Sequence, residues 1–204
     1  MKTEGKWVVV RIDGKIAAVS TDYRMLASIT EKLANKGVCH DEISAVTTDF
    51  DEVWKLRQEI SWDDMILYGT DFQKKVWRKL WELTHPAGGA EAQNTGKTAD
   101  DTGTGPTKLI CYSDFAELCQ NRAGVRAVAH AIGLNPVSVI IPCHLVIPKE
   151  GIDKIKEINR KAEATIFKGD DLCLNSILND NSIDFGEYAL GRGLKRTLIT
   201  LELA

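Results

Sequence analysis

Between Ala87 and Thr107 the chain carries no aliphatic side chain larger than alanine, no aromatic ring and no cysteine. A stretch with so little to bury cannot offset the entropy lost on ordering, so residues 87–107 are expected to form a solvated, flexible loop. Any core must therefore be assembled from the blocks on either side. Those blocks suffice: of 204 residues, 44% are hydrophobic and 27% charged, with a formal net charge of −3. These values exclude a chain disordered throughout and suit one compact domain or two small ones. The apolar runs, such as Trp7 to Val10 and Val137 to Pro142, are far too short to cross a bilayer, and Lys2 to Gly5 do not open a secretory signal. The cysteines are five, an odd number with no CxxC pair and no framework spacing, which points to a reducing compartment, nucleus or cytoplasm. The mild acidity decides nothing about nucleic acid, since a basic face can sit on an acidic whole.

The first block reads as a small sheet-plus-helix unit over residues 1–68. Val8, Val10 and Ile12 alternate, Asp13-Gly14 supplies a turn, and Ile16 to Val19 return as the second strand. Met25, Leu26, Ile29 and Leu33 then recur at helical spacing before Gly37. Nothing in this block reads as catalytic.

The second block, 69–204, opens on a helix start. Thr70 and Gln73 have capping-box spacing, and Phe72, Val76, Trp77, Leu80 and Trp81 share one face until Pro86. Ser113 offers an N-cap for a short helix through Leu118. Asn121-Arg122 makes a turn, and a second helix runs from about Ala123 to Ile132 before Gly133, the shape of a helix-turn-helix. Asn135-Pro136, a buried-strand run Val137 to Ile141, and Pro142-Cys143-His144 follow. Ile152, Ile155, Ile158 and Ala162 repeat at helical spacing amid lysines, and a final helix carries Leu190, Leu194, Leu198 and Leu201. The fold class expected is α/β (α+β): a sheet-and-helix domain, then a mainly helical one.

Cys143 is the residue on which chemistry turns. A cysteine in apolar company is usually a small buried hydrophobe. Here Pro142 fixes the backbone and His144 places an imidazole next door, which can accept the thiol proton and raise the thiolate fraction. Neighbours on a regular strand point to opposite faces, so the pair works only if the strand ends at this point. Spacing alone leaves both readings open.

The surrounding residues add a resemblance. Pro142-Cys143-His144-Leu145-Val146 is similar to the active-site PCHRV motif of the O6-alkylguanine-DNA alkyltransferases, the methylated-DNA–protein-cysteine methyltransferases. Gly69-Thr70-Asp71-Phe72-Gln73 with Val76-Trp77 resembles that family's GTxFQxxVW opening. Tyr112-Ser113, Arg126-Ala127-Val128 and Asn135-Pro136 resemble its helix-turn-helix elements and hinge. Gly186-Glu187-Tyr188, Gly191 and Lys195-Arg196 resemble its closing GYxxGxxxK segment, with Glu202 at the glutamate that ends it. The likeness covers most of 69–204.

The resemblance implies stoichiometric transfer of an alkyl group from O6-alkylguanine in double-stranded DNA to Cys143, by a monomer that needs no cofactor and no metal. It implies a recognition helix in the minor groove, with small residues Gly124, Ala127 and Ala131 giving close approach, Arg126 filling the gap left by the extruded base, and Tyr112 crowding the phosphate. The carbonyls of Cys143 and Val146 would accept from the guanine amine, while the Tyr188 hydroxyl and Ala189 N–H would donate to the base. Glu202 would orient His144, which activates Cys143 through a water. Asn135 would hold the helix loop to the strand.

Read singly, Tyr112 is a core-edge residue, Arg126 a solvated charge, Asn135 a turn cap and Glu202 an exposed acid; in register with Cys143 they read as one site. The rival class is an alkyltransferase-like damage sensor that binds the lesion without repairing it, but such proteins replace the cysteine. A Cys/His hydrolase would need an oxyanion hole that no motif advertises. Departures from the family pattern are Leu145 in place of Arg, His130 in place of a small residue, Leu134 where Gly is common, and an insertion over 152–184. Cys39, His40 and His85 are metal-ligand types whose spacing fits no site.

Overall fold

The computed structural model describes residues 6–22, 27, 31, 42–85, 109–163, 177 and 180–203. The chain divides into two compact units, Met1–Trp81 with Arg126–Cys143, and Glu82–Val125 with His144–Ala204.

In the first unit the expected hairpin forms. Strands β1 (Trp7–Ile12) and β2 (Lys15–Ser20) pair antiparallel, and Asp13 and Gly14 turn the chain with φ of 50° and 78°. β3 (Ile43–Thr48) adds antiparallel to the other edge of β1, giving the order β2-β1-β3. Of the helix expected around Met25 to Leu33, Ala27 and Glu31 are described, both helical; the rest lies outside the described residues. Helix α1 (Phe50–Glu59) is capped by Asp49, whose carboxylate accepts from the Glu52 N–H at 3.0 Å, and it packs Phe50 on Trp7 with ring centroids 6.0 Å apart.

Helix α2 (Asp71–Glu82) begins with the expected reciprocal cap: Thr70 N–H donates to Gln73 Oε1 at 2.9 Å, and Gln73 N–H to Thr70 Oγ1 at 3.2 Å. Its buried face is Val76, Trp77, Leu80 and Trp81, with Phe72 half-buried. A Cβ at Gly69 would lie 2.6 Å from the Trp77 ring, so only glycine lets the chain pass there. The Trp77 indole N–H donates at 2.8 Å to the Ala131 carbonyl of helix α4 (Val125–Gly133), satisfying one of that helix's terminal acceptors.

The sheet also anchors the approach to Cys143. Val19 N–H donates to Pro136 O at 2.9 Å, and Ser138 N–H donates to Val19 O at 3.0 Å. The expected buried strand 137–141 is instead a buried tight turn. Ile141 N–H returns to Val137 O at 3.0 Å, and Val139 takes φ 73°, a region a β-branched residue rarely enters. The apolar run reflects complete burial of Val137, Val139, Ile140 and Ile141, while a side chain, Asn135, supplies partners that a neighbouring strand would have supplied.

In the second unit, β4 (Ile110–Cys111) and β5 (Val146–Ile147) pair in parallel. Helix α3 (Tyr112–Leu118) starts directly after β4, so its N-cap is Cys111; Ser113 lies inside the first turn, with its hydroxyl 3.0 Å from Cys111 Sγ. A 3₁₀ turn, Arg122–Gly124, leads on to α4. The 152–184 insertion opens as a helix, α5 (Lys149–Glu163), whose Ile155 joins Leu109, Leu145, Ile147, Ile177, Ile183, Phe185 and Ile199 in one buried cluster. On its outer side Lys161 and Lys154 hold the Glu157 carboxyl below the ordinary glutamate range. Helix α6 (Arg192–Leu203) buries Lys195, Leu198 and Ile199; the expected leucine stripe is offset, since Leu190 precedes the helix and Leu201 is exposed.

This cluster explains the departure at Leu145. A residue fully buried among isoleucines cannot be an arginine without a partner for its charge, and the insertion supplies part of the apolar wall. Ile155→Ala is therefore expected to cost about 2–5 kcal/mol of stability, measured by urea unfolding. An unchanged unfolding midpoint would mean that α5 lies outside the core.

Candidate active site

Asn135, on the exit from α4, is 2% exposed and makes an unusually complete set of bonds within the first unit. Its Oδ1 accepts from Val137 N–H at 3.0 Å, and its Nδ2 donates to Ile141 O at 2.9 Å. The same nitrogen lies 3.2 Å from Cys143 Sγ. An amide N–H aimed at sulfur favours the thiolate over the thiol, because a donor stabilises the charged form. Cys143 is itself buried, at 6% exposure, and its N–H donates to Ile141 O at 2.8 Å. A 3₁₀ turn, Cys143–Leu145, begins at the cysteine, so Cys143 and His144 do not lie on a regular strand.

In the second unit, His144 Nε2 stands 3.0 Å from Glu202 Oε1, with side chains 0% and 3% exposed. The pair joins the 3₁₀ turn to the last turn of α6 across 58 residues of sequence. Glu202 is thus an inward-facing acid, not an exposed one. With Nε2 turned to the carboxylate, Nδ1 is the ring nitrogen through which a thiol proton would pass.

Lys195 had no role assigned from the sequence beyond its place in a motif. It is 1% exposed; its ammonium donates to Val146 O at 2.8 Å and to Glu187 O at 3.4 Å, and lies 5.9 Å from the centre of the Tyr112 ring. A buried cation is tolerable only with such acceptors. By bonding them it ties β5 to the Gly186–Tyr188 turn, which Gly186 makes with φ 78°. The signal that would have found it is its spacing: Lys195 shares the buried face of α6 with Leu198 and Ile199, at i+3 and i+4. Tyr112, Gly124 and Tyr188 are half-buried, and Arg126, Ala127 and Ala189 are exposed, whereas Ala131, expected to line the groove-facing side, is buried on the opposite face with Val128 and Ile132.

Residues 104–165 match the family model described as 6-O-methylguanine DNA methyltransferase, DNA binding domain. That segment is similar to the DNA-binding domain of those methyltransferases. The chain is 40% identical over 86 residues to a probable methylated-DNA–protein-cysteine methyltransferase of Acanthamoeba polyphaga mimivirus, a match spanning 42% of this chain and 44% of that protein. It is also 40% identical over 83 residues to the inducible methylated-DNA–protein-cysteine methyltransferase of Bacillus subtilis, across 41% of this chain and 35% of that one. Both matches thus span less than half of either protein. The fold resembles the crystal structure of O6-methylguanine-DNA methyltransferase from Pyrococcus kodakaraensis, with TM-score 0.52 and 19% identity over 97% of this chain and 91% of that one. The mixed α/β fold class is that of these enzymes.

Among the described residues no group of three or more His, Cys, Asp or Glu side chains could hold a metal ion; Cys39 and His40 lie outside them. No described helix is long and apolar enough to cross a membrane.

Proposed function

We propose that this chain repairs O6-alkylguanine in duplex DNA by transferring the alkyl group to Cys143. The observation that carries the reading is the bonding of two consecutive residues inside the family-matched segment: Cys143 Sγ lies against Asn135 Nδ2, and His144 is held by a buried Glu202. A thiolate attacks the alkyl carbon in one displacement; the carbon–oxygen bond breaks, its electrons pass to the guanine, and a thioether forms. His144 takes the thiol proton, and Glu202 stabilises the resulting imidazolium. A thioether has no facile exit, so each molecule acts once, as a monomer without cofactor.

Residues 69–204 form the DNA-binding and catalytic region in this reading. Tyr112 and Arg126 act on the nucleotide backbone and the vacated stack, and Gly124 and Ala127 admit the minor groove. The carbonyls of Cys143 and Val146 receive the guanine amine; Val146 O, already accepting from Lys195, has a second lone pair for it. Tyr188 and Ala189 donate to the leaving base. Arg126→Ala should slow repair of duplex DNA on the order of tenfold or more while affecting reaction with free O6-benzylguanine far less. Equal losses on the two substrates would remove Arg126 from base extrusion.

A further inference from the structure

The stretch 118–149 holds no aspartate or glutamate, although the chain as a whole carries 29. Its ionisable residues are Cys119, Arg122, Arg126, His130, Cys143, His144 and Lys149, and α4 lies within it. On that helix Val128, Ala131 and Ile132 are buried, and the Trp77 indole fixes the Ala131 carbonyl. The opposite face exposes Arg126, Ala127, His130, Gly133 and Leu134. Arg126 and His130 stand four residues apart, hence on one side of the helix, with the small Ala127 and Gly133 beside them and Leu134 one turn beyond His130. Two long nitrogen donors on a small-residue face, in an acid-free segment, complement a narrow anionic groove better than they complement a protein surface.

We propose that His130 is a second DNA-contacting side chain, one turn beyond Arg126, donating from its imidazole to the base acceptors on the minor-groove floor. The inference rests on the alkyltransferase reading and deepens it. Every base pair offers such acceptors there, but guanine adds an amino group that blocks approach and competes as a donor. The chain would therefore prefer lesions flanked by A·T pairs.

The test is fluorescence anisotropy with a short labelled duplex and its twin in which inosine replaces guanine, which removes the minor-groove amino group and leaves the major-groove edges intact. Wild-type protein should bind the inosine duplex more tightly. His130→Ala should lose roughly tenfold in affinity and most of the difference between duplexes, and His130→Arg should restore both. Equal or tighter binding by His130→Ala overturns the inference. If wild type gains a methyl group from a lesion duplex while His130→Ala binds as wild type, this inference alone fails. If wild type neither binds duplex nor gains the group, the alkyltransferase reading fails with it.

Discussion

Asn135→Ala is expected to cost the first unit about 2–4 kcal/mol and to slow alkylation of Cys143 by roughly 10–100-fold. The substitution removes both ends of an amide whose partners are buried: Val137 N–H loses its acceptor and Ile141 O loses a donor. Val137 N–H, left without that acceptor, carries its full desolvation penalty, while Ile141 O keeps only the Cys143 N–H at 2.8 Å. The turn they close is already strained at Val139, so the backbone bonds that remain, such as Ile141 N–H to Val137 O, must hold it alone. The rate falls for a separate reason, since the donor 3.2 Å from Cys143 Sγ is gone. Asn135→Asp separates the two effects. A carboxylate keeps the acceptor for Val137 N–H yet sets a negative charge against the sulfur, so it should slow alkylation more than alanine does. Urea unfolding and the rate of reaction with O6-benzylguanine measure the two quantities. An aspartate variant as reactive as wild type would take Asn135 out of thiolate stabilisation.

Glu202→Gln should reduce the rate of alkyl transfer on the order of 10²–10³-fold with little change in fold. Glutamine fills the same space but brings no charge to stabilise an imidazolium at His144, 3.0 Å away. The loss should shrink at alkaline pH, where hydroxide removes the thiol proton without the histidine. A constant deficit across pH would instead assign Glu202 to positioning alone.

Much of this was legible in the sequence because it is local. The Asp13-Gly14 hairpin and the Thr70–Gln73 cap are decided by residues a few positions apart, and both formed as read. Element limits depended on longer contacts. Val137 to Ile141 has the composition of a buried strand, but Asn135 closes it into a turn, a side-chain event that periodicity does not register. Ser113 looks like a cap, yet β5 pairs with Ile110 and Cys111 and sets the helix start two residues earlier. Leu145 looked like a lost charge until the buried cluster containing Ile155, Ile177 and Ile183 gave it a place. The His144–Glu202 pair spans 58 residues and was foreseen only through family likeness. Lys195 was hidden by the habit of reading lysine as solvated.

The central claim is tested most directly by intact-mass spectrometry after incubation with a duplex containing O6-methylguanine, beside Cys143→Ala. Gain of one methyl group per molecule in the wild type, and none in the variant, is the predicted result. Lesion-selective binding without mass gain would contradict it and make the chain a damage sensor; gain persisting in Cys143→Ala would place the acceptor elsewhere.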